Sequence, residues 1–192
     1  MPTNRLLVKE EIATYAATLL DAAVAEGGQE RVIAVRDQLN QVLFAFRENG
    51  RIRENLSNSS LSAQQRYELA ASVFEGCDPL AVSVLAVMAE RGNLGELSAV
   101  IDAFVNAAEN KLNVSIVDVV TAVALDDELR GIITEKLSKD LGKPVVLCET
   151  VDKSILGGII MSTNGKRIDA SISSKLEGTR ALLKENNDGG EC

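Results

Sequence analysis

The chain has 192 residues, no histidine, no tryptophan and only 3% aromatic residues. It therefore lacks the commonest neutral-pH general base and metal ligand, and offers few stacking platforms for bases or sugars. Its net charge of −8, from 20 basic and 28 acidic side chains without a basic stripe, argues against nucleic-acid binding and against anionic lipid.

Cys77, Cys148 and Cys192 are far apart, odd in number and without a C-x-x-C pair, which argues against a zinc site or disulfide framework and fits reduced thiols. The opening MPTNRLLVKEE has no signal-peptide core, and no apolar run approaches the ~20 residues of a membrane span. The expectation is a soluble protein that does not itself insert into a membrane.

In chain order, Ile12, Tyr15, Ala16, Leu19, Leu20 and Ala23 form a one-faced helical stripe that Gly27-Gly28 ends. Val32, Val35, Leu39, Val42, Leu43 and Phe46 repeat the pattern to Asn49-Gly50, so two antiparallel helices joined by a glycine turn are predicted. Asn55 to Ser60 reads as a polar turn. Ser62 starts a shorter helix with Tyr67, Leu69, Ala70 and Phe74 as its apolar positions. Asp78 and Pro79 open the next one as N-cap and first helical residue, and Gly92 closes it. A further stripe runs from Leu94 through Leu97, Val100, Ile101 and Phe104 to about Lys111.

The pattern changes near Leu112. Residues 114–123 are dense in β-branched side chains and read as a strand. Asp126, Asp127 and Glu128 head a helix that Gly142 and Pro144 end. Acid at its start and lysine near its end match the helix dipole, a simpler account of the acidic cluster than a bound cation. Val145 to Val151 is a second strand. Ile159–Ser162 and Lys166–Ala170 flank Asn164-Gly165, a tight hairpin turn, and Ser171 to Lys184 is an amphipathic helix. The class is α+β: a bundle of about six helices over 1–111, a small α/β domain with a hairpin over 112–184, and a disordered polar tail over 185–192.

Gly157-Gly158 invites a phosphate-loop reading, but no Lys-Ser/Thr follows, so a structural role at the hairpin entry is expected. Asp169 with Ser171 is expected to cap the last helix. No catalytic residue, metal ligand or cofactor is expected.

Several motifs together resemble the delta-subunit family of F-type ATP synthases, whose mitochondrial members are the oligomycin-sensitivity-conferring proteins. The sharpest runs from Gly157-Gly158 through the Asn164-Gly165 turn to Ile168-Asp169-Ala-Ser171-Ile172, with Leu176 beyond. The family turn there is usually Gly-Asp. Ala13-Thr-Tyr15-Ala16-Ala17 resembles the first-helix motif, with Thr18 and Leu20 where Ala and Phe are frequent. Met88-Ala-Glu90-Arg-Gly92-Asn-Leu94 resembles the end of the fifth helix, with Asn93 in a place often held by Arg. Val151-Asp152-Lys-Ser154 also fits. The likeness spans about residues 8–184 and implies a non-catalytic stator subunit.

On that likeness, the helical bundle would grip the N-terminal segments of the head's alpha subunits, and the smaller domain the C-termini of the stalk's b subunits. The first and fifth helices carry the head-binding role in the family, which points to Tyr15, Thr18, Leu19 and Ala22 with Val82, Leu85 and Met88. An apolar groove between small-residue helices suits a partner's amphipathic helix. The place implied is the cytoplasmic face of a bacterial membrane, peripherally, within the synthase. The competing readings are an unrelated soluble helical adaptor and a small carboxylate enzyme.

Overall fold

The computed structural model describes residues 5–56, 61–163 and 165–187. The chain divides into two compact units, Met1–Leu112 and Asn113–Cys192.

The first unit is helical. Helix α1 (Arg5–Glu48) is two limbs separated by the glycine pair, where Gly28 sits at φ 62° and ψ −139°, a conformation that side chains with a Cβ rarely adopt. Helix α2 (Gly50–Leu56) occupies ground where a turn from Asn55 was expected. Leu56 is fully buried, and its burial carries the helix through the polar residues around it. Residues 57–60 of that expected turn lie outside the described residues.

Helix α3 (Ala63–Val73) starts in a capping box. Ser62 Oγ accepts from the Gln65 N–H at 3.2 Å, and Gln65 Oε1 accepts from the Ser62 N–H at 2.9 Å. Helix α4 (Pro79–Arg91) is capped by Asp78, which accepts from the Leu80 N–H at 3.0 Å, and closed by left-handed Gly92. A 3₁₀ turn (Leu94–Glu96) leads into α5 (Leu97–Leu112), whose buried positions Leu97, Val100, Ile101, Phe104 and Ala108 keep helical spacing and face α1. With the limbs of α1 counted separately, the described residues of this unit form six α-helices, of which α4 is the fifth.

Small side chains let these helices approach closely, and the core is mostly alanine, valine and leucine. Phe46 and Phe74 meet edge to face at 5.9 Å. Arg66 reaches from α3 to the end of α4, donating to Ala89 O at 2.9 Å and Glu90 O at 2.6 Å, where the helix dipole favours a cation.

The second unit is a four-stranded sheet in the order β2-β1-β3-β4 with two helices. Strands β1 (Ser115–Thr121) and β2 (Val145–Val151) are parallel, joined by α6 (Asp127–Leu141). Strand β3 (Ile159–Thr163) is antiparallel to β1 and forms a hairpin with β4 (Lys166–Asp169). The central β1 is buried along the face of Ser115, Val117, Val119 and Thr121, while on the other Ile116 is buried, Val120 half-buried and Asp118 exposed, which fits its near-continuous β-branched run. Asp126 caps α6 by accepting from the Leu129 N–H at 2.7 Å, and left-handed Gly142 ends it. Arg130 of α6 reaches Glu149 of β2 with both Nε and Nη2, tying the crossover helix to the sheet.

Asn164 lies outside the described residues, and Gly165 beside it is left-handed at φ 73°. Helix α7 (Ile172–Asn187) runs three residues past the expected end at Lys184, so part of the polar tail is helical. Residues 188–192 lie outside the described residues.

Candidate functional site

In the first unit, α4 runs antiparallel to the first limb of α1 and is tied to α1 at both ends. At its N-terminal end Asp78 meets Arg31, just past the bend of α1. At its C-terminal end Asn93 Nδ2 donates to Glu11 Oε2 at 3.0 Å, and the Arg91 guanidinium lies 5.9 Å from the centre of the Tyr15 ring. The structure thus brings together the two elements that carry Tyr15, Thr18, Leu19 and Ala22 and Val82, Leu85 and Met88. Their accessibilities differ. Leu19, Leu85 and Met88 are fully enclosed, Tyr15, Ala22 and Val82 are half-buried, and Thr18 is exposed. Tyr15 also holds a buried hydroxyl that makes no hydrogen bond. On the α5 side of the first limb, an open cavity of about 590 Å³ is lined by Val8, Ile12, Ala13, Ala99 and Ala103 and flanked by Lys9 and Glu96.

In the second unit, the glycine pair lies against the start of α7. The Ile172 N–H donates to Gly157 O at 3.0 Å, and the Ala170 N–H to Ile159 O at 2.9 Å. A Cβ on Gly158, at φ 88°, would lie 2.5 Å from Ala170 O and 2.8 Å from Ser171 Cα. Only glycine permits that approach. Ser171, buried, caps α7 by accepting from the Ser174 N–H at 3.2 Å, while Asp169 accepts from the Ser171 N–H at 3.0 Å and holds the cap in place. Asp152 makes a similar turn, accepting from the Ser154 N–H at 2.8 Å.

A feature that sequence reasoning did not single out is a set of exposed apolar side chains at one end of this sheet. Val123, Val151 and Leu156 are 74%, 48% and 72% exposed, and Leu129 and Ile172 are also exposed. Backbone bonds place them together. Thr121 O accepts from the Asp152 N–H at 2.8 Å, Thr121 Oγ1 donates to Val123 O at 2.7 Å, and Thr121 is in register with Ile159, just beyond the glycine pair. Leu129 stands in the first turn of α6 at the same end. Apolar groups gathered and exposed in this way mark an interaction surface. The available signal was Leu156, an apolar residue in a connecting segment, whereas Val123 reads as the end of a strand that in the structure stops at Thr121.

Three carboxylates of this unit are held below their ordinary range. Glu149 is held there chiefly by its hydrogen bond to Arg130, Asp152 by the hydroxyl and N–H of Ser154, and Asp169 by those of Ser171 with Arg167 adding a smaller share. A depressed carboxylate adds stability above its unfolded pKa and loses it as pH falls through the folded value. Acid titration is therefore expected to loosen the second unit once pH drops below about 4, the unfolded carboxylate range. Amide exchange followed by mass spectrometry checks this: β1, β2 and α7 should lose protection at higher pH than α5, and simultaneous loss would contradict it.

Among the described residues, no group of three or more His, Cys, Asp or Glu is placed to hold a metal ion, and no helix is long and apolar enough to cross a membrane. The family model described as ATP synthase delta (OSCP) subunit matches residues 12–183. A protein of Rhodopirellula baltica named ATP synthase subunit delta is 32% identical over 85% of this chain and 72% of its own length. One of the same name from Anaeromyxobacter dehalogenans is 32% identical over 89% of this chain and 95% of its own. A chain in the cryo-EM structure of the Toxoplasma gondii mitochondrial ATP synthase hexamer, 21% identical, superposes with a TM-score of 0.50 over 90% of this chain and 96% of that one, a likeness of fold. The family match spans the motifs around Tyr15, Gly92 and Gly157-Gly158, and the chain belongs to the ATP synthase delta (OSCP) subunit family.

Proposed function

We propose that this chain is a non-catalytic stator subunit of an F-type ATP synthase, with residues 1–111 gripping the N-terminal segments of the head's alpha subunits and 112–184 holding the C-termini of the stalk's b subunits. The family match over residues 12–183 carries the reading. Rotation can drive synthesis only if the head is kept from turning with the rotor, so such a connector must bind firmly at both ends and need turn over nothing. Its place would be the cytoplasmic face of a bacterial membrane, reached through the complex rather than through a span of its own.

The surface shared by the first limb of α1 and α4 suits an amphipathic helix. Thr18, Tyr15, Ala22 and Val82 form the part a partner can touch, and buried Leu19, Leu85 and Met88 set the shape beneath it. The exposed apolar end of the second unit suits the b subunit, since a helix laid over Val123, Leu156 and Ile172 would remove those side chains from water.

Calorimetric titration with a synthetic peptide of the alpha subunit's N-terminal segment tests the head-binding role. Saturable one-to-one binding is expected. Thr18→Glu, at an exposed site, should weaken it about tenfold or more while circular dichroism stays the same. Ala99→Glu, in the cavity on the α5 side, serves as the contrast: loss there with Thr18→Glu silent would move the partner to that groove. No binding to peptide or intact head would leave a member of the family's fold with a different task, that of an adaptor.

A further inference from the structure

The bend of α1 is bridged by an ion-pair chain. Glu26 ends the first limb, Arg31 begins the second and Asp78 caps α4. Arg31 Nε donates to Glu26 Oε2 at 2.9 Å, Nη2 donates to Asp78 Oδ1 at 3.1 Å, and Nη1 donates to Asp78 Oδ2. The Asp78 side chain is only 8% exposed. Its own N–H donates to Gln38 Oε1 at 2.9 Å, and its Oδ1 also accepts from the Leu80 N–H at 3.0 Å, so the capping residue is anchored from the second limb as well.

The backbone at the bend supplies no lock of its own. Two successive glycines have non-helical angles; a Cβ on Gly28 would meet nothing within 4 Å, and one on Gly27 would meet only Arg31, its Cβ at 3.1 Å. Such a junction is soft, and its angle is set by what crosses it. A guanidinium suits that task because its flat fork fixes direction as well as distance, which a lysine ammonium does not. The far end of the first limb is held to α4 through Asn93 with Glu11 and Arg91 with Tyr15. If Arg31 is lost, the limb can pivot about that end.

We propose that Arg31 is a positioning residue that fixes the angle between the first limb of α1 and α4, and with it the shape of the surface carrying Tyr15 and Thr18. This rests on the reading of that surface as the head-binding one, and the test separates the two. In full-length protein with Cys77, Cys148 and Cys192 replaced by serine, spin labels on cysteines at exposed Ala17 of the first limb and exposed Ser83 of α4 report the distance between those two elements. The parent should give one narrow distance. Arg31→Ala should broaden it and weaken the alpha N-terminal peptide about tenfold, with helix content unchanged, and Arg31→Lys should fall between.

Added peptide should narrow the broadened distribution again. If Arg31→Ala unfolds, Glu26→Gln at the exposed end of the chain of ion pairs should give a smaller broadening and a smaller affinity loss. An unchanged distance, or a broadened one with unchanged affinity, would overturn the proposal. A parent that fails to bind the peptide would overturn the head-binding reading instead, and with it the role of that surface, while the distance alone would still judge whether Arg31 sets the angle.

Discussion

Gly158→Ala is expected to cost the second unit about 3 kcal/mol, the upper range for a side chain forced into a strained, crowded backbone position. Two separate penalties act there. The residue sits at φ 88°, and its new methyl would press on Ala170 O and Ser171 Cα. Backbone atoms cannot rotate aside as a side chain can, so β3 and the start of α7 would have to separate, losing the bonds from Ala170 N–H to Ile159 O and from Ile172 N–H to Gly157 O.

Two controls isolate the cause. Gly165→Ala, also left-handed but in open space, should cost only about 1 kcal/mol from the backbone conformation. Gly131→Ala, inside α6 with nothing near it, should stabilise by up to about 1 kcal/mol. Thermal melting with amide exchange at β1 and α7 measures all three. Equal losses at Gly158 and Gly165 would show that strain, not close approach, governs the glycine pair.

The second large effect concerns binding. Leu129→Glu combined with Leu156→Glu is expected to weaken association with a synthetic peptide of the b subunit's last helix about a hundredfold, the scale of central apolar contacts. Both side chains are largely exposed, so the fold should survive and the melting temperature should change little. Lys166→Glu, on the edge strand β4, is the matching control for added negative charge. Unchanged peptide binding in the double variant would remove the sheet end as the stalk surface and direct attention to the rest of the unit, where Ile132, Ile168 and Leu176 are also exposed.

The two surfaces suit two kinds of attachment. In the first unit the side chains beneath the proposed head-binding surface are enclosed by their own core, and a partner would lie on a finished surface. In the second, α6 has no fully buried residue although it carries Leu129, Ile132 and Ile133. Much of its apolar area remains in water. A partner there would gain from burial that the unit has not completed alone, which agrees with the acid sensitivity expected of this half.

The sequence by itself determined the local elements. Period-3.6 stripes placed α4 and α5, the β-branched run placed β1, and Asp78, Asp126, Gly92 and Gly142 marked helix ends because capping depends on residues only a few positions apart. It also carried the family pattern, since the glycine pair and the Asp169-Ser171 turn are short-range requirements of one tight junction. Of the turn expected over 55–60, Asn55 and Leu56 fall within α2 instead, and the burial of Leu56 is a long-range event invisible in its neighbours.

Only the tertiary structure decided which residues of the stripes remain accessible. Tyr15 and Leu19 stand on the same stripe, yet Leu19 is enclosed while Tyr15 is only half-buried, because packing decides how deep each position of a stripe lies. It likewise paired Arg66 with the end of α4 and Arg31 with Asp78, since a long cation finds its carbonyl or carboxylate only after distant segments meet. The apolar end of the second unit became visible for the same reason: Val123, Val151, Leu156 and Ile172 share no period along the chain and are brought together by the sheet and the glycine junction.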